Sequence, residues 1–210
     1  GINGYDKWGC DVSTRFNVTV HQYDCFDPTR PACATGRTVF HDECVAETSK
    51  REGRRRFDTL TNQIEKNGDR SKRIVLKMDV EGAEWESLLF VPDETLREID
   101  QLVLELHWLR DANHQWIDAH DKYLHVVGRL KQFFEVAHLH FNNASCVDDL
   151  GPFPSWAYEV LFVSKRLAAV DPSRKVRGLH PLDALNNPAY ADCQPTRQSS
   201  RSRRYRARQT

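Results

Sequence analysis

Two acidic residues follow a short apolar run near the middle of the chain. The run Ile74–Met78 leads directly into Asp79, Glu81 and Gly82. In open α/β sheets, ligands bind outside the carboxyl ends of the strands, so an acidic turn at this point is well placed for chemistry. Close carboxylates can supply a general base or hold a divalent ion. The alternative is a surface turn in which Glu81 and Glu84 only complement the dipole of a following helix.

Histidines accompany two other predicted strands. Glu105 and His107 share one face near the end of a strongly apolar run. His138 and His140 alternate with apolar residues, so both imidazoles are predicted to lie on one face of a strand. That pair could ligate a metal, relay protons or simply form hydrogen bonds. The sequence offers it no third ligand, and it contains no Walker loop, GxSxG elbow or HExxH motif.

An acid also follows the first alternating run of the chain. Val18–Tyr23 alternates as a strand does, and Asp27 comes shortly after it. A carboxylate at the end of such a strand can accept both hydrogen bonds of a ribose diol. The alternative is that Asp27 and Pro28 only begin a turn.

The elements that must position these residues alternate between strand and helix patterns. Strands are predicted at 18–23, 38–41, 74–78, 102–108, 136–141 and 158–163, and helical spacing is found at 57–64, 85–89, 93–99 and 116–134. The earlier strands should be parallel because helical segments separate them, whereas the last two, joined by a loop alone, should be antiparallel. The charge run Lys50–Arg56 is predicted to be a surface loop.

Length and composition limit the classes of function. The chain has 210 residues, enough for one domain, with 30 basic and 30 acidic side chains. This balance argues against nucleic acid as a partner, and no apolar run is long enough to span a bilayer. Apolar periodicity fades after about Arg166. We therefore predict a domain over residues 1–166 and an extension over 167–210 that is disordered from about residue 195, where an arginine-rich tail could also bind an anionic partner.

Six cysteines and two sequons bear on the cellular compartment. No CxxC pair is present, which argues against a structural zinc site, and the early cysteines allow disulfides. Asn17-Val18-Thr19 and Asn143-Ala144-Ser145 are acceptor motifs for N-glycosylation. Secretory and intracellular locations both stay open. The cysteines are Cys10, Cys25, Cys33, Cys44, Cys146 and Cys193.

The segment from Lys77 to Glu84, KMDVEGAE, is similar to the signature of FkbM-like S-adenosylmethionine-dependent methyltransferases and related methyltransferase-like domains. The sequences around Phe26-Asp27-Pro28, Leu104–His107, His138–Asn143 and Tyr158–Val160 resemble further strands of that family in the same order. The resemblance covers roughly residues 1–165. It implies an α/β fold with a Rossmann-like class I methyltransferase sheet, mostly parallel and closed by an antiparallel C-terminal hairpin.

The resemblance also implies a cofactor site for S-adenosylmethionine. Asp27 would hold the ribose, and the turn containing Gly1 and Asn3, with Trp8 nearby, would cradle the methionine portion, with Asp79 adjoining it. The chain begins at this turn and the turn has no GxGxG pattern. The first strand of the fold is therefore expected to be missing from the chain, or another segment must replace it.

The implied reaction is methyl transfer to a hydroxyl of a small molecule or glycan. Asp79 is the first candidate for the base, Glu81 the second, and His107 and His140 would line the acceptor pocket; no metal is assigned. One alternative is a catalytically degenerate binding domain with the same fold. Another is a metal-dependent hydrolase using Asp79, Glu81, His138 and His140. For the four candidate residues of the methyltransferase, the alternative role is to support the ends of the strands structurally.

Overall fold

The structure is a computed structural model that describes residues 2–107, 120–147, 154–171, 173 and 180–193. Three parts of the sequence predictions lie outside these residues: Gly1 in the expected cofactor turn, the stretch 108–119 between a predicted strand and a predicted helix, and the arginine-rich tail.

Nine strands, five α-helices and one short 3-10 helix, Asn143–Ser145, form the described part of the chain. The strands are β1 (Thr19–Tyr23), β2 (Arg37–His41), β3 (Cys44–Val45), β4 (Lys50–Glu52), β5 (Arg55–Asp58), β6 (Ile74–Met78), β7 (Ile99–His107), β8 (Phe134–Phe141) and β9 (Ala157–Ser164). The helices are α1 (Lys7–Phe16), α2 (Leu60–Lys66), α3 (Glu84–Leu89), α4 (Asp93–Glu98) and α5 (His120–Phe133).

The largest sheet has four strands in the order β6-β7-β9-β8. β6 and β7 are parallel, with Met78 opposite Leu104, whereas β9 runs antiparallel to both β7 and β8. This register brings the carboxyl ends of β6, β7 and β8 to the same edge of the sheet, where β9 begins. The predicted strand at 74–78 and the predicted antiparallel pairing of the last two strands are confirmed.

The remaining strands form two smaller sheets. β1 and β2 are parallel to each other, and a three-stranded sheet has the order β3-β5-β4. The fold is therefore α/β with mixed sheets that contain parallel strands, which is compatible with the predicted Rossmann-like class.

The prediction of a surface loop at Lys50–Arg56 was wrong. These residues form β4 and most of β5, joined by a turn in which Gly53 has a positive φ of 60°. Their side chains are exposed, as expected of a charge run, but the backbone pairs across the turn, with Arg51 opposite Arg56. Glycine allows the chain to reverse, and the charged side chains reach solvent from both faces of this exposed hairpin.

The hydrophobic core lies between the four-stranded sheet and helices α3, α4 and α5. The buried side chains of β7 and β9 alternate along each strand, as expected for a sheet with one face packed against helices. The largest buried side chain is Trp85 in α3, which packs its ring against Tyr123 of α5 at a centroid distance of 4.3 Å. The strand residues of this core include Leu102, Leu104, Leu106, Tyr158, Val160 and Phe162.

Helix α1 was not predicted from the sequence. Asp6 caps it by accepting a hydrogen bond from the Gly9 backbone N–H at 2.7 Å. Its buried residues are Gly9 and Ser13 rather than large aliphatic residues, so the helix lacks the apolar periodicity that reveals most amphipathic helices.

Three disulfides join all six cysteines, so the prediction that they could form disulfides is confirmed. The pairs are Cys10–Cys33, Cys25–Cys44 and Cys146–Cys193. The last pair ties residues 180–193, here called the C-terminal strap, to the loop after β8. His138 and His140 in β8 also contact the strap, through Asp183 and Asp192.

Within the described part of the chain, no helix combines the length and apolar character that crossing a membrane requires.

The pKa of Asp58 provides a test of the region between β5 and α2. Burial raises this pKa, but hydrogen bonds from Lys66, Ser49, Asn62 and the Thr59 backbone outweigh burial and hold it at about 2. A lowered folded-state pKa stabilises the fold above the unfolded value of 3.8, and this stabilisation is lost as the pH falls toward 2.

We therefore expect the stability advantage of the wild type over Asp58→Asn to shrink by about 2 kcal/mol between pH 5 and pH 2. Urea unfolding at several pH values measures it. Asp42→Asn, at an exposed position nearby, controls for loss of one negative charge. A constant difference between wild type and Asp58→Asn across this range would contradict the assignment.

The two sequons differ in accessibility. Asn17 is exposed, whereas Asn143 is buried and donates hydrogen bonds from Nδ2 to the carbonyls of Asn187 and Tyr190, both at 2.8 Å. A glycan on Asn143 would remove these contacts with the C-terminal strap. After secretion from eukaryotic cells, we expect folded protein to carry a glycan at Asn17 and none at Asn143.

Peptide mass spectrometry after enzymatic deglycosylation in heavy-oxygen water measures occupancy at each asparagine. Thr19→Ala should remove the glycan while leaving the contacts of Asn143 intact. Folded protein with a glycan at Asn143 would contradict the burial argument.

Candidate functional site

A buried glutamate organises the acidic turn after β6. Glu84, the first residue of α3, is fully buried and its two carboxylate oxygens accept hydrogen bonds from the backbone N–H groups of Val80 and Gly82, both at 2.8 Å. Glu81 has a positive φ of 54°, which costs energy for a residue with a side chain. The carboxylate of Glu84 therefore holds a tight turn that would otherwise leave two N–H groups without partners.

The same carboxylate also holds a buried histidine at the end of β7. His107 Nδ1 lies 2.9 Å from Glu84 Oε1, and the side chain of His107 is only 4% exposed. Trp85 Nε1 donates a 2.7 Å hydrogen bond to the His107 carbonyl, which fixes the backbone as well. Since Glu84 accepts a hydrogen bond from Nδ1–H, the other ring nitrogen, Nε2, is turned away from Glu84.

Three further carboxylates surround Nε2 of His107. The distances from Nε2 are 3.6 Å to Glu81 Oε2, 3.7 Å to Glu105 Oε1 and 4.0 Å to Asp79 Oδ1. Asp79 and Glu81, the two acids of the turn after β6, both belong to this group. In the structure both approach the same imidazole.

The charges of this group shift the pKa values of its members. Burial lowers the pKa of His107, but the hydrogen bond to Glu84 and the charges of Glu84, Glu105 and Glu81 outweigh it, so the pKa lies above its usual value. Burial raises the pKa of Glu105, and the charge of Asp79 raises it further against an opposing hydrogen bond from Asn142. The site is therefore a partly desolvated cluster of interacting acid and base groups.

The expected cofactor residues lie around a different sheet. Asp24, directly after β1, accepts backbone N–H bonds from Ile2, Asn3, Phe26 and Asp27. Asp24 is thus the buried acid at the strand end, and it shapes the turn at residues 2–4. Asp24 was not among the residues predicted from the sequence, because a carboxylate that binds backbone and one that binds a ligand have the same sequence pattern.

Asp27 is half-buried beside this turn, and its Oδ1 accepts a 2.8 Å hydrogen bond from the Thr29 backbone. Gly4 has a φ of 69°, and a Cβ there would lie 3.6 Å from Asp27 Oδ2 and 3.2 Å from Thr29 Cβ. The structure therefore brings Asn3 and Gly4 next to Asp27. Trp8 lies in α1 and is partly exposed.

His138 and His140 lie under the C-terminal strap. His138 Nε2 is 2.7 Å from Asp183, whereas His140 is buried between Glu159 at 3.0 Å and Asp192 at 3.3 Å. Burial lowers the pKa of His140, but its contacts with these two acids outweigh burial and raise the pKa. Both imidazoles thus already contact carboxylates that join the strap to the sheet.

Among the described residues, one group of three or more side chains has metal-ligand geometry, formed by Asp79, Glu105 and His107. The set expected for a hydrolase, with His138 and His140, is not gathered there. Two important residues of the cluster were not assigned a role from the sequence. The sequence did place Glu105 on the same strand face as His107, whereas nothing in the sequence signals that Glu84 is buried.

No protein-family profile, curated protein or solved structure matches the chain.

The role of Glu84 can be measured through stability. Glu84→Gln keeps the shape of the side chain but places an amide NH₂ against donors, so one of the three hydrogen bonds to the carboxylate is lost. Since a hydrogen bond to a charged group is worth about 1.5–3 kcal/mol, we expect the free energy of unfolding at pH 7 to fall by about 2 kcal/mol.

Chemical denaturation measures this loss, and Glu86→Gln is the matched control. Glu86 lies on the same helix with its side chain 42% exposed and pairs with Lys122, so its replacement should cost less than about 1 kcal/mol. Equal losses in the two variants would show that Glu84 is not the organising residue.

Proposed function

We propose that the protein is an S-adenosylmethionine-dependent methyltransferase that acts on a hydroxyl group of a small molecule or glycan. The observation that carries this proposal is the acidic turn after β6, in which Asp79 and Glu81 approach the buried His107 at the end of the neighbouring strand. This strand, turn and helix correspond to the segment most similar to the FkbM-like signature.

The arrangement of the strands supports the proposal. β6 and β7 are parallel and are followed by the antiparallel pair β8 and β9, as expected for the closing part of a methyltransferase sheet. β1 and β2 form a separate parallel pair, and Asp27, the proposed ribose-binding acid, follows β1 along the chain. The finer class, a Rossmann-like class I methyltransferase sheet, is part of the proposal.

The residues around Asp27 fit the polar part of such a cofactor. Asp24 uses its carboxylate for four backbone N–H groups, which leaves Asp27 as the acid available for a ribose diol. Asp27 Oδ2 makes no hydrogen bond to any described residue. At Gly4, tight packing and a positive φ both disfavour a larger residue. Asn3 and Gly4 would provide backbone next to the methionine portion.

S-Adenosylmethionine would supply an electrophilic methyl group, and the protein's own residues would handle the acceptor. A hydroxyl must be held in line and must lose its proton. Asp79 is the proposed proton acceptor because it is only partly exposed and lies beside His107. Glu81, with its side chain 73% exposed, would contact the acceptor from the rim.

A catalytically degenerate binding domain is the second candidate. It is favoured by the division of the parallel strands into two sheets, because the expected ribose-binding acid follows β1 of one sheet and Asp79 follows β6 of the other. The two candidates differ in whether the folded protein binds the cofactor.

Cofactor binding by the full chain tests the proposal. We expect isothermal titration calorimetry to detect S-adenosylmethionine binding. Asp27→Ala should weaken it about 10–100-fold, the equivalent of one or two charge-assisted hydrogen bonds. Glu94→Ala removes a highly exposed acid from α4 and should leave the affinity unchanged.

Absence of binding to folded wild-type protein would reject the methyltransferase proposal in favour of the binding domain. Binding that Asp27→Ala leaves unchanged would reject the assigned cofactor site.

A further inference from the structure

The cluster at the carboxyl edge of β6 and β7 has the composition of a metal site. Asp79, Glu105 and His107 each offer one ligand atom, and these atoms all lie within 4.8 Å of one another. We propose that these three residues bind a divalent transition-metal ion, and that Glu84 positions the histidine ligand. This inference does not depend on methyl transfer.

The three ligand atoms are close, but they must contract to surround an ion. His107 Nε2 lies 3.7 Å from Glu105 Oε1 and 4.0 Å from Asp79 Oδ1. Ligand atoms ~2.1 Å from a metal stand ~3.0–3.4 Å apart when they are adjacent. The two histidine distances would have to shorten by roughly 0.3–1 Å to close the site. The separation between the Asp79 and Glu105 oxygens, which is at most 4.8 Å, would have to shorten by no more than roughly 1.8 Å, and both side chains are partly exposed and have rotamer freedom.

The orientation of His107 is independent support. Its ring is buried, Nδ1 bonds to the fully buried Glu84, and Nε2 faces the carboxylates without a hydrogen bond to any residue that the structure describes. A histidine that ligates a metal usually donates its other ring N–H to a carboxylate, which sets the tautomer and the ring orientation. Glu84 and His107 have this arrangement.

Neighbouring polar and charged side chains also contact the two carboxylate ligands. Asn142 Nδ2 donates a 2.7 Å hydrogen bond to Glu105 Oε1, which places this oxygen near His107. Lys77 lies 3.8 Å from Asp79 Oδ2 but is itself substantially exposed, so it neutralises the cluster only weakly. Several carboxylates around one imidazole repel one another, and a divalent cation among them would relieve that repulsion.

The chemistry of the ligands indicates the kind of ion. Two carboxylates favour hard cations such as Mn²⁺, while imidazole favours first-row transition ions. Mn²⁺ satisfies both preferences and is the appropriate probe. Three protein ligands leave coordination positions open, and Glu81 at the rim could reach one of them directly or through water.

Under the proposed function, on which this one step rests, an open position would take the acceptor hydroxyl. An ion there would lower the pKa of that hydroxyl, and its proton would pass to Asp79 Oδ2, because Oδ1 is the oxygen of Asp79 that faces His107 in the proposed ligand set. Acceptors with two neighbouring oxygens would then be favoured because they can chelate the ion.

Titration of metal-free full-length protein with Mn²⁺ tests the site without any reaction. We expect loss of the free-Mn²⁺ electron paramagnetic resonance signal with a stoichiometry of one. Asp79→Asn and Glu105→Gln should each weaken binding at least tenfold. In the wild type, pulsed electron paramagnetic resonance should detect ¹⁴N coupling from the histidine ligand to the bound Mn²⁺. The His107→Gln substitution should abolish this coupling.

Glu159→Gln is the matched control. Glu159 lies opposite Glu105 on the neighbouring strand but outside the proposed ligand set, so its replacement should change the affinity less than twofold. Circular dichroism establishes that each variant is folded.

Two results would overturn the proposal: no saturable Mn²⁺ binding by folded wild-type protein, or equal weakening by Glu105→Gln and Glu159→Gln. A metal site would survive failure to bind S-adenosylmethionine, so this result and the test of the methyltransferase are distinguishable.

Discussion

The buried carboxylate of Glu84 is the constraint on which the candidate site depends. It accepts hydrogen bonds from the backbone of the acidic turn and from His107, thereby joining the end of β6, the start of α3 and the end of β7. Burying an ionised carboxylate is costly unless hydrogen bonds compensate for the lost water. Here three donors do so, and each of them belongs to a segment that the site needs in a fixed position.

This arrangement explains how several negative charges can gather at one edge of a sheet. Asp79, Glu81 and Glu105 lie around an imidazole whose other nitrogen is already committed to Glu84. Their mutual repulsion is offset by the hydrogen bond from Asn142 to Glu105 and by the histidine itself. Such a cluster is suited to taking up a proton or a cation, and both proposals for the protein draw on this property.

The face of the four-stranded sheet that carries His138 and His140 is stabilised by the C-terminal strap. The C-terminal strap has little apolar periodicity, yet it lies against β8 through the Cys146–Cys193 disulfide and through the carboxylates of Asp183 and Asp192. His138 and His140 are therefore part of the connection between strap and sheet. Covalent and polar contacts replace the hydrophobic burial that secures helices α3 and α5 on the opposite face.

Local pattern alone predicted the elements that carry strong apolar periodicity. Continuous apolar runs identified β6 and β7, and apolar alternation identified β8 and β9. The absence of a helix between β8 and β9 predicted their antiparallel pairing, because a short connection cannot return the chain to the same end of the sheet. Residue type and position also predicted Asp79, Glu81 and His107 as residues of a functional site. Helix α1 and the hairpin of β4 and β5 were not predicted because they lack apolar periodicity. The buried residues of α1 are small, and the residues of the hairpin are mostly exposed charges.

Only the tertiary structure decided which candidates meet. A carboxylate in the first turn of a helix is usually solvated, and only the packing of α3 against β7 buries Glu84 beside His107. The same packing turns Asp79 and Glu81 toward one imidazole, whereas the strap draws His138 and His140 into other pairs. Sequence determined which groups have the chemistry for a site, but burial and distance depend on contacts between segments far apart in the chain.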